Sequence, residues 1–202
     1  MGPRLKYYQK NPTNVHNRYF EQTSDDFFSS QADMLRTNKP DIVFIDGLHT
    51  YEQSLKDVLN SLTFLADGGV ILMHDCNPLS EAAAYPAGSF EDVTSLNLPT
   101  YAGAWNGDVC KTIVHLRTLH RDLEVCVLNC DHGIGVVRKA VPENTLNLSA
   151  SDLRNMSYHD LAADRERLLN LKSPEHFNDL VARIVSGSTV PGMTPQGVEL
   201  KK

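Results

Sequence analysis

The alternation of apolar and polar residues predicts a strand–helix–strand unit between residues 41 and 75. Ile42–Ile45 is an uninterrupted apolar run, which is typical of a parallel strand that is covered on both faces. Residues 51–65 then place their apolar side chains on one helical face, and a glycine pair ends the helix. Because Val70–Met73 is a second apolar run, we expect a right-handed crossover between two parallel strands.

The helix of this unit has a recognisable start. Thr50 and Gln53 match a capping box, in which the Thr50 hydroxyl accepts from the third helical amide and the Gln53 side chain reaches back. We expect the apolar face of the helix to be buried against the sheet. That face consists of Tyr51, Leu55, Val58, Leu59, Leu62 and Leu65.

Less regular elements are predicted on both sides of this unit. Arg18–Gln22 is a short strand candidate, and Thr23–Asp26 resembles a helix cap that precedes apolar residues at helical spacing. Residues 76–108 are rich in proline and glycine and predict a long irregular loop, which in a compact domain is usually functional or disordered. Within this loop, Trp105 either covers a substrate or anchors the loop.

The remaining residues predict a hairpin and a helical appendage. A helix over 108–119 precedes two short strands, 123–128 and 134–137, whose short connection predicts an antiparallel hairpin. Two polar, amphipathic helices are predicted over 151–171 and 174–185. The chain thus divides into an irregular N-terminal segment (1–17), an α/β domain (18–140), a helical C-terminal appendage (141–186) and a flexible tail (187–202).

Composition narrows the class of protein. The formal net charge of −6 argues against nucleic acid as a partner, because phosphate binding requires a basic face. No apolar run approaches the roughly 20 residues that cross a bilayer, and the N-terminus lacks the apolar core of a signal peptide. We therefore expect a cytoplasmic protein without a membrane partner. The four cysteines form no C-x-x-C pair and are expected to be reduced thiols.

Four groups with catalytic chemistry follow the two central strands. Asp46 and His49 come after the first strand, and His74 and Asp75 come after the second. Ligands bind outside the carboxyl ends of the strands in open parallel sheets, so we expect these groups to lie close together. The simpler alternative is that both aspartates only cap the segments that follow them. A metal-dependent hydrolase site would explain the same cluster.

The spacing of these groups carries a family resemblance. The segment DIVFIDGLHTYEQSLKDVLNSLTFLADGGVILMHDCNP resembles the centre of the class I S-adenosylmethionine-dependent methyltransferases, in particular a small-molecule O-methyltransferase group with the pattern IDG-x-H…GG-x-x-x-x-HD. YFEQTSDDFF upstream, and WNGDVCK and DHGIGVVRK downstream, also resemble this group. The resemblance covers roughly residues 18–140. It implies a Rossmann-like α/β sheet that is mostly parallel, with a C-terminal antiparallel hairpin.

The resemblance also implies roles for individual residues. Ser24 or Asp25 would contact the adenine of S-adenosylmethionine, and Asp46 and Gly47 would lie near its methionine end. His49 stands where metal-dependent relatives carry a catalytic lysine. An imidazole with a pKa near neutrality can act there as a general base that takes the proton of a substrate hydroxyl.

A divalent cation is implied by the same relatives. Their metal aspartates correspond to Asp46 and Asp75, and carboxylate oxygens suit Mg²⁺, which would acidify and orient the substrate hydroxyl. Cys76 replaces the asparagine that follows the second metal aspartate in those relatives. His74 either compensates as a nitrogen ligand or forms a hydrogen bond within its loop.

The N-terminus departs from the family. A class I methyltransferase begins with a strand, a glycine-rich loop, a helix and a second strand, but Gly2 is the only glycine before Gly47. The family sheet order 3-2-1-4-5-7-6 then leaves the first two strands missing between strands 3 and 4. We expect strand 4 to become an edge, or Tyr19–Gln22 to pair with it.

Two functions from different classes follow. The first is a methyltransferase that acts on a hydroxyl of a small molecule, such as a sugar or a secondary metabolite, with S-adenosylmethionine and Mg²⁺ as cofactors. The second is a truncated, non-catalytic remnant that acts as a binding module, in which a second copy or a partner chain completes the sheet.

Overall fold

A computed structural model describes residues 18–186, and the predictions for residues 1–17 and 187–202 lie outside the described part. The helices are α1 Ser24–Ser30, α2 Ala32–Thr37, α3 Tyr51–Phe64, α4 Phe90–Ser95, α5 Cys110–Leu119, α6 Ala150–Asn155, α7 Tyr158–Ala163, α8 Arg165–Leu169 and α9 His176–Ser186. The strands are β1 Ile42–Ile45, β2 Val70–Met73, β3 Leu123–Leu128, β4 Ile134–Lys139 and β5 Leu171–Lys172. Within residues 18–186, no helix is long and apolar enough to cross a bilayer.

The fold is mixed α/β with one five-stranded sheet in the order β1-β2-β4-β3-β5. β1 is parallel to β2, and β3 is parallel to β5, whereas β4 is antiparallel to both of its neighbours. Four strands therefore run in one direction, and β3 and β4 form the predicted antiparallel hairpin. The order β1-β2-β4-β3 matches strands 4-5-7-6 of a Rossmann-like methyltransferase sheet.

The β1–α3–β2 unit forms, but β1 is not covered on both faces as predicted, because Ile42 and Phe44 are exposed. Two further differences lie in α3. Thr50 accepts from the amide of Gln53 at 3.4 Å, but the Gln53 side chain turns away from the cap toward other partners. Leu59 is 38% exposed, contrary to the prediction. The buried positions of α3 include Ser54 and Asp57, so its inner face is more polar than the apolar pattern predicts.

Apolar side chains pack on both faces of the sheet, except at β1, where Ile42 and Phe44 are exposed. On one face, α3 and α5 bury Val58 and Ile113 completely against β2 and β3. On the other face, Leu180 of α9 packs against a smaller cluster that includes Val70 and Val136. The sheet is therefore a central layer between helices. All four cysteines are free, as predicted.

Residues 18–22 do not form the predicted strand. Phe20 packs edge-to-face against Phe27, with ring centroids 5.1 Å apart, which ties this segment to α1 rather than to the sheet. Within residues 18–186, β1 consequently lies at the edge of the sheet. Ile42 and Phe44 are 66% and 57% exposed there.

The appendage is more broken than its amphipathic pattern predicts. Residues 151–171 form three short helices and β5 instead of one helix, because capping boxes at Ser149 and Ser157 each start a new helix. The second predicted helix is present as α9. The loop 76–108 also contains a helix, α4.

The C-terminal appendage forms hydrogen bonds to the loop that follows β2. Arg165 donates to the side chain of Asn77 and to the carbonyl of Pro78, and the Tyr158 hydroxyl donates to the carbonyl of Leu79 at 2.8 Å. The Arg165 guanidinium also lies 5.9 Å from the centre of the Tyr158 ring. These contacts join residues far apart in the chain at one end of the sheet.

Replacing a core side chain of α5 should destabilise the protein, whereas replacing an exposed one should not. Ile113 is fully buried, so Ile113→Ala should lower the free energy of unfolding by about 2–5 kcal/mol. Leu119 on the same helix is 54% exposed, so Leu119→Ala should change it by about 0.5 kcal/mol or less. Urea denaturation measures both values, and equal losses would contradict the described packing.

Candidate active site

Parallel pairing of β1 with β2 brings the predicted site residues together. Ile45 pairs with Met73 at the carboxyl ends of the two strands. Asp46 follows the first of these residues and His74 the second, so their side chains emerge at the same edge of the sheet. Asp75 and His49 lie in the loops that continue from them.

Asp75 is the centre of this cluster. Its Oδ2 atom lies 3.1 Å from Nε2 of His49 and 2.9 Å from Nδ1 of His74. Oδ1 of Asp46 lies 3.6 Å from each of the same two nitrogens. Asp75 is buried, whereas the Asp46 side chain is 49% exposed. The structure thus places two carboxylates and two imidazoles in mutual contact, with Asp46 at the open side.

A backbone contact decides the protonation pattern of His49. Nδ1 of His49 lies 2.7 Å from the carbonyl oxygen of Trp105. A carbonyl can only accept a hydrogen bond, so Nδ1 carries a proton and the neutral imidazole has its lone pair on Nε2. That lone pair faces Asp75 and Asp46. Such a contact repels unless positive charge lies between the groups, which either an imidazolium or a bound cation supplies.

The end of the loop 76–108 packs directly on His49. Gly107 has φ +58°, and a Cβ atom there would lie 1.8 Å from the carbonyl oxygen of His49. The Trp105 indole donates to the carbonyl of Tyr85 at 2.8 Å, and Trp105 is buried. Of the two roles considered for Trp105, the structure therefore shows the loop anchor.

Asp108 fixes the other side of the His49 loop. Its Oδ1 accepts from the amide of Tyr51, the first residue of α3, at 2.7 Å. This contact satisfies one of the amides that an isolated helix start leaves without a partner, and the carboxylate suits the positive end of the helix dipole. Asp108 thus links the start of α5 to the start of α3.

Two carboxylates flank His74. Nδ1 contacts Asp75, and Nε2 lies 3.3 Å from Oδ2 of Asp131 in the β3–β4 turn. Burial lowers the pKa of His74, but the hydrogen bonds and charges of Asp75, Asp131 and Asp46 outweigh it, so the pKa lies above its ordinary value. Asp131 and His132 both have positive φ, which marks the turn as strained.

The residues considered for a metal are close enough to share one ion. Ligand atoms of Asp46, His74 and Asp75 lie within 4.8 Å of one another. Cys76 does not extend this set, because it is buried, burial raises the pKa of its thiol, and its Sγ contacts the Met73 carbonyl at 3.6 Å. The fit is strongest for the two carboxylates, since Nδ1 of His74 must lose its proton before it binds a cation.

The residues considered for the cofactor form a second group that borders the first. The Gln53 amide donates to Oγ of Ser24 at 3.2 Å, to Asp25 at 3.4 Å and to Asp57 at 2.9 Å. Asp57 also lies beside Gly47, because a Cβ atom added to this glycine would be 3.6 Å from Oδ2 of Asp57. Gln53 and Asp57 therefore connect Ser24 and Asp25, at the start of α1, to the Asp46–Gly47 loop.

Asp25 forms an ion pair within this group. Its Oδ2 lies 2.6 Å from Nζ of Lys56. The hydrogen bond from Lys56 holds the pKa of Asp25 below its ordinary value, so this carboxylate stays ionised. Any ligand that uses Asp25 must share it with Lys56.

Sequence reasoning missed several residues of the site, for different reasons. Asp57 carried a signal, since it is a charged residue beside the inner face of α3. Gln53 matched a capping motif that its side chain does not complete. Asn106 and Asp131 lie in a loop and a turn without periodicity, so only the tertiary structure brings them to Asp75 and His74.

Comparison with known proteins agrees with this geometry. Residues 4–76 match the family model described as a methyltransferase domain. Over these residues, about a third of the chain, the sequence is similar to a methyltransferase domain. The match ends one residue after Asp75 and thus includes β1, α3, β2 and the four clustered groups. No curated protein sequence matches the chain.

The match implies a cofactor in general terms only, because methyltransferase domains use S-adenosylmethionine as their methyl donor. The match begins at residue 4, so it extends upstream of residue 18, where the described structure starts.

Gly107→Ala should disturb the contact between the loop 76–108 and His49. The added Cβ atom would collide with the His49 carbonyl, so we expect a loss of stability well above the roughly 1–2 kcal/mol that left-handed backbone costs an alanine. Gly103→Ala is the matched control, because Gly103 also has positive φ but no atom of residues 18–186 lies within 4 Å of the added Cβ position. Thermal unfolding compares the two, and equal losses would argue against the close approach.

Removing one carboxylate beside His74 should change the pH dependence of stability. The folded-state pKa of His74 is raised above the ordinary value of 6.5, so its ion pairs stabilise the fold fully below that pH and lose this effect as pH rises through the folded-state pKa. Asp131→Asn should therefore destabilise the metal-free protein more at about pH 5.5 than at about pH 8.5.

Urea denaturation at both pH values measures this difference. Asp33→Asn serves as the control for the loss of one negative charge, because among residues 18–186 Asp33 pairs with Arg36 and with no histidine. The control should show no comparable dependence on pH. The same pH profile in both variants would contradict the pairing of His74 with Asp131.

Proposed function

We propose that this methyltransferase domain transfers the methyl group of S-adenosylmethionine to a hydroxyl of a small molecule, such as a sugar or a secondary metabolite. The observation that carries the proposal is the position of Nε2 of His49, which faces Asp75 at 3.1 Å while Nδ1 is held by the Trp105 carbonyl. With Nδ1 protonated, Nε2 is the ring nitrogen of the neutral imidazole that can take a proton, and a cation held by Asp46 and Asp75 would offset the repulsion between its lone pair and these carboxylates.

His49 has a defined part in this chemistry. S-adenosylmethionine, when bound, supplies an electrophilic methyl carbon on a sulfonium. The substrate hydroxyl would give its proton to Nε2 of His49 as its oxygen takes the methyl group. S-adenosylhomocysteine would leave with the electron pair of the former carbon–sulfur bond. The resulting imidazolium is stabilised by the carboxylate of Asp75 and, farther away, by Asp46.

A divalent cation fits the two carboxylates in the same place. Asp46 and Asp75 would hold Mg²⁺ through oxygen atoms, which is the ligand type that this ion prefers. Bound there, the ion would supply positive charge that acidifies and orients the substrate hydroxyl. His74 would either add a nitrogen ligand or stay protonated between Asp75 and Asp131 and hold their orientation.

The cofactor would lie along the second group of residues. Ser24 and Asp25 would meet the adenine, and Asp46 and Gly47 would border the methionine end. The structure supports this assignment because Gln53 and Asp57 join these two positions in one continuous surface. The lack of a side chain at Gly47 leaves room for a ligand to approach the backbone.

A second candidate function is a non-catalytic binding module that acts with a second copy or a partner chain. The exposure of Ile42 and Phe44 on β1, which is the edge strand of the described sheet, favours it. Exposed apolar edge strands readily pair with another strand. Light scattering after size-exclusion chromatography tests this candidate, and a monomer that transfers methyl groups would argue against it.

Titration calorimetry with S-adenosylhomocysteine, with and without Mg²⁺, tests the cofactor. We expect saturable binding by the wild-type protein. No heat from folded protein at millimolar ligand would contradict the enzymatic proposal and favour the binding module.

His49→Gln tests the general base. The variant should lower the rate of S-adenosylhomocysteine release with an accepted hydroxyl substrate by about 10²–10⁴-fold, because the proton acceptor is lost. Binding of S-adenosylhomocysteine should change little. His159→Gln is the control, since the His159 side chain is 76% exposed and contacts Glu81 at the surface. Unchanged turnover in His49→Gln would exclude this residue as the base.

A further inference from the structure

Asn106 contacts the central carboxylate of the site from the side opposite the histidines. Its Nδ2 donates to Oδ1 of Asp75 at 2.9 Å and approaches the carbonyl of His132 at 3.4 Å. Asn106 is completely buried and lies between the anchored Trp105 and Gly107. One side chain thus joins the loop 76–108 to the loop after β2 and to the β3–β4 turn.

The amide orientation is decided by its neighbours. Asp75 and the His132 carbonyl can only accept, so the nitrogen must face them and Oδ1 must point elsewhere. Oδ1 of Asn106 is buried and accepts no hydrogen bond from residues 18–186. An apolar side chain of similar size would fill this position without that penalty, which indicates that the donor toward Asp75 is the reason for the amide.

The backbone of Asp75 has a conformation that is unfavourable for a residue with a side chain. It has φ +62°, in the left-handed region that favours glycine. The following amides of Cys76 and Asn77 donate to the carbonyls of Gly133 and His132, which maintains that turn. The backbone contacts fix where the Asp75 side chain starts, and the Asn106 amide fixes how its carboxylate is rotated.

We propose that Asn106 is a positioning residue, which holds Oδ1 of Asp75 so that Oδ2 faces His49, His74 and a cation. This proposal rests on the proposed function for the cation and the base. It assigns to the loop 76–108 a direct part in building the site. Asn106 acts through Asp75 and does not contact the reacting atoms.

Asn106→Leu removes the donor while keeping the volume. Titration with Mn²⁺, followed by electron paramagnetic resonance, should show binding weakened by about 10–100-fold, as when a group that orients a metal ligand is lost. Asn77→Leu is the matched control. Asn77 is also a buried asparagine beside Asp75, but its side chain contacts Asn129 and Arg165 instead. The control should bind Mn²⁺ within about twofold of wild type.

Crystal structures of the variants provide a readout that does not depend on metal. In Asn106→Leu, the Asp75 carboxylate should rotate so that Oδ2 no longer contacts both His49 and His74, whereas Asn77→Leu should leave it in place. An unmoved Asp75, or an equal loss of Mn²⁺ affinity in both variants, would overturn the proposal.

Two further outcomes remain decisive. If wild-type protein does not bind Mn²⁺, the metal-assisted part of the proposed function fails, and the rotation of Asp75 alone decides the role of Asn106. If Asn106→Leu does not fold, Asn106→Ala removes the same donor with a smaller side chain and is judged by the same two measurements.

Discussion

The parallel pairing of β1 with β2 is the constraint on which the rest of the structure depends. Every group of the candidate active site is positioned relative to the two strand ends that this pairing aligns. A shift of β1 by one residue would exchange its two faces, because side chains alternate along a strand. Val43 and Ile45, which pack against the main core, would then point away from it. The core therefore stabilises the register that brings Asp46 to Asp75.

The site concentrates negative charge, and the surrounding structure offsets it. Asp46 and Asp75 both approach the imidazoles of His49 and His74, and Asp131 approaches that of His74. Isolated carboxylates repel one another at this spacing, so the cluster requires positive charge from the histidines or from a cation. The strained backbone at Asp75 and at the β3–β4 turn shows that the groups are held together by the fold rather than by their own preference.

Features that depend on residues close together in the chain could be predicted from the sequence, whereas features that depend on distant residues could not. The β1–α3–β2 unit, the hairpin and the cluster at the strand ends were predictable, because local periodicity and the geometry of parallel sheets determine them. The orientation of Gln53 was not, since partners far along the chain outcompete the local cap. Exposure of Leu59 depends on which side of α3 faces the sheet, which a single apolar residue does not reveal. The Asn106 contact arises only when three loops meet.

The contacts of the C-terminal appendage couple its motion to that of the loop after β2. Arg165 and Tyr158 hold residues 77–79, and β5 extends the sheet beside β3. Opening of the segment after β2 therefore requires the C-terminal helices to separate from it. Hydrogen exchange in the loop after Asp75 should then follow the exchange of α7 and α8, so a proteolytic cut near residue 145 would loosen the candidate catalytic end of the sheet from a distance.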